Sequence, residues 1–430
     1  MQKILDKLNF KDRKTLIGFL SVVTAGQLIY SSFEAFKGTF YNLLLEVLNV
    51  SNAELGAIFG LIGISIFFYI PGGWINNRFS IKSILIVGLL IRFITISVII
   101  FFSPTFQVLK IIAIIWGIVD SIFWPAVLNG VIFFTDQSKR GMGFGLLESV
   151  RRAEEMLMNL LIVGIMSLVS GIVVFKGGML AYNLLIIPLI LLIIKYVPKN
   201  GIAAMDEEEK TEITGNKSLE ALKGLFYVLL KPKVWLASIS AMSIYWGYII
   251  LIYSVPYLQK TFDLSTTQTA LFGIFNTGLM GVLMGVSAGI ISDYVFKSSS
   301  KMIFAALLLS SIILLGVVFI KGSLFVSMAL LIAFSVTTFL AKSVILAPIA
   351  EFDIPKKYAG SAMSVGSFAA YAPIFWVYTM NGKLLDAHQD NVVEAYRIIF
   401  EIGIIVAFLG SVCTLILLML NRKSSRQVTE

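Results

Sequence analysis

Runs of some twenty consecutive apolar residues recur along the whole of this 430-residue chain. At 1.5 Å of rise per residue, about twenty residues cross the roughly 30 Å hydrocarbon core of a bilayer. Twelve such segments can be read, the first near 15–46 and the last near 392–420. Inside lipid every backbone N–H and C=O must be satisfied within the protein, so runs this long demand helices; they lack the alternating ten-residue pattern of barrel strands. Hydrophobic residues make up 58% of the chain and charged ones 14%, with a mean hydropathy of +0.90. That leaves too little polar surface to coat a soluble globule. The expectation is an all-α polytopic membrane protein.

The basic residues give an orientation. The amino-terminal tail (Lys3, Lys7, Lys11, Arg13, Lys14), the loops holding Arg78 and Lys82, Lys139 and Arg140, Lys297 and Lys301, Lys356 and Lys357, and the carboxyl tail fall on one side. By the positive-inside rule that side is cytoplasmic, and both termini lie there. The formal charge of +9 thus follows topology, and its partner is the lipid bilayer. No basic stripe suited to nucleic acid is formed. Cys413 is alone, which rules out a disulfide or a cysteine metal site. The first apolar segment is too long for a cleavable signal, so direct insertion into a bacterial-type plasma (inner) membrane is expected.

The segments cluster as six plus six about residues 198–232, a polar stretch containing Asp206, Glu207, Glu208 and Glu209 that reads as a solvated cytoplasmic linker. The halves also share local sequence. Gly73-Trp-Ile-Asn-Asn77-Arg78 follows the second span and Gly289-Ile-Ile-Ser-Asp293 the eighth; Lys139-Arg140-Gly141 and Lys356-Lys357-Tyr-Ala-Gly360 follow the fourth and tenth. Such repeats mark two-bundle transporters. Together with the six-plus-six pattern and the central loop, they resemble the major facilitator superfamily over nearly the whole chain. The resemblance implies twelve transmembrane helices in two six-helix bundles (1–197 and 233–430), a monomer, and gating loops built on Asn77, Arg78, Arg140 and Asp293. An Asn or Asp in such a turn accepts from free N–H groups at a neighbouring helix start, and a charged one also favours that helix's positive end.

The branch signatures of sugar porters and drug:proton antiporters are not visible: Ile112 to Phe134 holds no arginine, and the fifth span holds no Gly-Pro kink. Trp124-Pro125 followed fifteen residues later by Arg140-Gly141, with Gly289 to Lys297 and Pro355 to Ala362, is closer to the organophosphate:phosphate antiporters. That family grips phosphate with a base in the first span and another in the seventh. Lys37 falls at or next to the first position. Around Tyr245-Trp246-Gly247-Tyr248 there is no base, so Lys342, Arg151 and Arg152 are candidates for the second.

Ionisable groups at membrane depth are costly, about 2.5–3.5 kcal/mol each on insertion scales, and normally pair or face a polar path. In the fold that the resemblance implies, the first, fourth, seventh and tenth spans line the cavity, joined by parts of the second, fifth, eighth and eleventh. Glu34, Lys37, Asp120, Lys342 and the fifth-span set Glu148, Arg151, Arg152, Glu154 and Glu155 all occupy such spans, whereas Arg92 and Glu401 do not. Glu148 and Glu155 are within helical reach of the two arginines, and Lys37 is within reach of Glu34. Adjacent arginines lie about 100° apart on a helix, so one of Arg151 and Arg152 faces inward. Asp120 either carries a coupling proton or pairs with a buried base. Tyr245, Trp246 and Tyr371 shape the cavity.

The reading is a secondary transporter of a small organic anion (phosphate ester, carboxylate or sulfonate). Lys37, Lys342 and one fifth-span arginine attract the anion, and Glu34, Asp120, Glu148 and Glu155 tune their charge. Exchange against a counter-anion is preferred to proton symport. The alternative is a proton-coupled carrier of a neutral or amphiphilic solute. No nucleophile, metal-ligand set or cofactor motif stands at a plausible spacing, so enzyme activity, metal and cofactor are not expected.

Overall fold

The computed structural model describes residues 10, 12–68, 75–76, 79–135, 140–166, 171–199, 226–320, 323–350 and 356–427. Asn77 and Arg78 and most of the 198–232 linker lie outside the described residues, and of Arg140, Glu148 and Asp293 only the helical backbone is described. The chain divides into two compact units, Met1–Glu207 and Glu208–Glu430.

Local sequence starts and stops the helices. Asp12 caps Arg13–Ser31 by accepting from Thr15 N at 2.7 Å. Burial is absent there, and those bonds from Thr15 hold the Asp12 carboxyl below the usual carboxylate range. Ser51 and Glu54 form a reciprocal capping box before Asn52–Ile62, and Ser265 and Gln268 form another before Thr266–Gly273. Pro232 opens Pro232–Ile252, where its missing N–H costs nothing. Asn49, in the left-handed conformation at φ 52°, closes Tyr41–Leu48.

In the amino-terminal unit Arg13–Ser31 packs on Ile172–Tyr196, Phe106–Phe134 and Arg140–Met166, and Ile81–Phe102 packs on Phe106–Phe134 and Ile172–Tyr196. Gly117 sets one crossing: a Cβ there would stand 2.8 Å from the Ile62 carbonyl oxygen, so only glycine lets the fourth span approach the second this closely. In the carboxyl-terminal unit Val392–Gln427 packs on Ser299–Phe319 and Pro232–Ile252, and Leu324–Ser343 packs on Ser299–Phe319 and Met280–Ile290. Gly410 has the corresponding role against Ser243, whose Cβ would lie 2.5 Å away.

Several spans are not continuous helices. The first is expected as one run near 15–46, but it is Arg13–Ser31, a 3-10 turn over Glu34–Gly38, and then Tyr41–Leu48. The tenth stops at Ser343 and resumes at Ala347–Ala350, and the eleventh passes through a 3-10 turn at Ala372–Phe375. The eighth is α-helical except over two wide π-helical segments, Ile274–Leu279 and Ile291–Phe296. Among the described residues seven helices are long and apolar enough to cross a membrane, or nine if bent pairs count once each. Broken runs such as the first and eleventh, and the charge-rich fifth, fall outside that uniform pattern.

Candidate functional site

The interruption in the first span carries Glu34 and Lys37, and the helix around it explains what each does. Arg92, 1% exposed, grips the Glu34 carboxylate with both terminal nitrogens at 3.0 Å and reaches Asp120 Oδ1 at 3.4 Å. The guanidinium lies 4.1 Å from the Trp116 ring centroid. A fork on a carboxylate and a flat cation on an indole face are the two arrangements in which Arg outperforms Lys. The residue set aside on sequence as lying outside the lining spans is thus the hub joining the first, third and fourth. Helical spacing places Lys37 beside Glu34, and the 3-10 turn keeps residues three apart on one side; what spacing does not announce is the bidentate grip of Arg92 on the same carboxylate. Lys37 Nζ stands 5.4 Å from the Phe59 ring centroid.

A second polar seam joins the first span to the fifth. Thr24 donates to Glu154 Oε1 at 2.5 Å, and Gln27 Nε2 donates to Glu155 Oε2 at 3.3 Å and to Ser31 Oγ at 3.0 Å. Arg152 bonds Glu155 at 3.2 Å. Arg151 turns the other way, its guanidinium carbon 4.6 Å from the Trp124 centroid and 5.9 Å from that of Tyr30. The two adjacent arginines therefore reach different neighbours, Arg151 the Trp124 and Tyr30 rings and Arg152 the Glu155 carboxylate, as the 100° step between them requires. Of the missed residues, Thr24, Gln27 and Ser31 left a trace: polar groups three and four apart in an apolar run. Tyr30 and Trp124 left none, because aromatic residues abound in such spans.

Among the described side chains of this unit's interior, Lys37, Arg92, Arg151 and Arg152 face Glu34, Asp120, Glu154 and Glu155, so the formal charges cancel. The carboxyl-terminal unit is built differently. Lys342 occupies the last turn of Leu324–Ser343, with its ammonium 3.8 Å from the Tyr248 centroid and 5.9 Å from that of Phe339. A cation at a helix C-terminus meets the negative end of the dipole, and the Tyr248 face adds a second favourable contact. Tyr245 extends the aromatic cluster, 5.5 Å from Tyr248 and 4.8 Å from Tyr371, which closes the eleventh span's first helix. Trp246 stands edge-on to Trp376 at 6.1 Å, and its indole N–H has no acceptor among the described residues.

The family model of the Major Facilitator Superfamily matches residues 4–377. The chain belongs to that superfamily. Its members are transporters rather than enzymes, and the protein is a multi-pass membrane protein of that fold. It is 25% identical over 413 residues to the inner membrane protein YihN of Escherichia coli K12, with 93% of this chain and 94% of that protein covered. Among solved structures it is similar to the nucleoside transporter NupG, with a TM-score of 0.72 and 12% identity over 95% of this chain and 99% of that one. It is also similar to a bacterial homologue of the human lysosomal transporter Spinster in an inward-facing, unoccupied conformation, with a TM-score of 0.69 and 12% identity over 96% and 98%. At that identity the structural likeness speaks for the fold alone.

Proposed function

We propose that this superfamily member is a secondary transporter of a small organic anion (a phosphate ester, carboxylate or sulfonate), moved by alternating access in exchange for phosphate or another anion. It works as a monomer in a bacterial-type inner membrane with both termini cytoplasmic, its bundles spanning 1–197 and 233–430 about the 198–232 linker. One observation carries the reading: the Lys342 ammonium, at membrane depth, rests 3.8 Å from the Tyr248 ring centroid where the tenth span breaks. Interrupted helices in transporters frame solute sites, and a costly intramembrane cation beside one is retained for what it binds. Lys37 and Arg151 supply the complementary charge in the amino-terminal unit, with Glu34, Asp120, Glu148 and Glu155 tuning it. Tyr245, Trp246 and Tyr371 line the solute, and Asn77, Arg78, Arg140 and Asp293 serve the gates.

The test is thermal stabilisation of the purified protein by phosphate esters, carboxylates, sulfonates and neutral sugars. A ligand at 100 times its dissociation constant adds about 2.7 kcal/mol. One anion class should raise the melting temperature of the wild type and leave Lys342→Gln unmoved. Stabilisation by neutral or amphiphilic solutes alone would favour a second reading, proton-coupled transport. That reading is motivated by Glu34 and Asp120 sharing the single guanidinium of Arg92. It predicts solute uptake that collapses with the proton gradient and in Asp120→Asn.

A further inference from the structure

Asn276 is 0% exposed, and among the described residues neither its amide oxygen nor its amide nitrogen has a hydrogen-bond partner. A buried amide without partners bears the full cost of leaving water, whereas leucine of similar size would bear none. Every other consideration of packing therefore argues for an apolar residue here. Asn276 also lies in the π-helical segment Ile274–Leu279, and wide turns of this kind gather at functional positions. Its carbonyl accepts the hydroxyl of Ser335, itself fully buried, which ties this turn to the tenth span.

Ser335 and Lys342 are seven residues apart on one helix, so they share a face at roughly 10 Å along the axis. Helical side chains lean toward the N-terminus. The Lys342 ammonium does so, lying 5.9 Å from the ring of Phe339, three residues earlier, and this shortens the gap to the Asn276 level. Moving a wide turn by one residue swings a side chain by about 100° around the helix. Such a swing would let a closed-off amide face a solute.

We propose that Asn276 determines specificity by reading a hydroxyl group of the solute whose anionic group Lys342 holds, its amide serving as donor and acceptor to that hydroxyl. The proposal rests on the anion reading above. It narrows the solute to a hydroxylated organic anion.

The experiment compares matched probes on the purified full-length protein: glycerol 3-phosphate with propyl phosphate, lactate with propionate, and isethionate with ethanesulfonate. Within the active anion class, wild type should bind the hydroxylated member at least roughly tenfold more tightly, since a site built to bond a hydroxyl is left with orphaned groups by the analogue. Asn276→Leu should melt at or above the wild-type temperature without ligand, bind the two members alike, and keep wild-type affinity for the analogue. The wild-type comparison needs no variant, so a missing preference there overturns the assignment even if Asn276→Leu does not fold. A preference that survives in Asn276→Leu overturns it too. If no anion stabilises wild type, the anion reading itself fails; if anions do and the hydroxyl makes no difference, only the Asn276 assignment fails.

Discussion

Replacing Arg92 by methionine strands Glu34 and Asp120 as carboxylates with their shared cation removed, in a site where Arg92 itself is 1% exposed. Breaking a buried pair from one side costs about 3–5 kcal/mol, whereas removing all partners together is often neutral. Arg92→Met should therefore lower the apparent melting temperature sharply, and adding Glu34→Gln and Asp120→Asn should recover most of the loss. A single variant as stable as wild type would deny the triad any structural role. Arg151 supports a different expectation. It lies against Trp124 and Tyr30, so Arg151→Lys keeps the charge and loses the flat stack. Anion affinity should fall in that variant with little change in ligand-free stability.

At the scale of elements, caps and close crossings fix where each span begins and how near its neighbour lies. Gly117→Val pushes two methyl groups toward the Ile62 carbonyl, and overpacking of this kind costs about 1–3 kcal/mol. The loss should appear as a lower melting temperature with ligand affinity unchanged in ratio between anions. The Asp12 cap has a pH signature. Its carboxyl is held below the usual range in the folded state, so its contribution is present above the unfolded value near 3.9 and fades as pH falls through the folded one. The difference in stability between wild type and Asp12→Ala should vanish on acidification through that window; a difference that persists unchanged at acid pH would mean the cap is not electrostatic.

For the whole molecule, the lysine and arginine placement sets the orientation. Cys413 is the chain's one cysteine, so a Cys413→Ser background gives a clean platform for labelling. A cysteine introduced in either terminal tail should react with an impermeant maleimide in inside-out vesicles and stay unreactive in right-side-out ones. Labelling of one tail from each side would require an odd number of crossings and would break the six-plus-six reading.

Length and polarity of the apolar runs determined by themselves that this chain crosses a membrane as helices, because lipid offers the backbone no other solvent. The glycine and basic motifs, spaced alike in both halves, likewise identified the superfamily from local pattern alone. Which charges meet was decided only by tertiary structure. Spacing places Lys37 beside Glu34, but the bidentate partner of that carboxylate is Arg92, 58 residues away, which no local pattern announces. Asn276 is one polar letter in an apolar run; only packing and the wide turn around it make it a buried amide without a partner. Period and composition record what each residue prefers. The choice among several adequate partners falls to the packing of helices far apart in sequence.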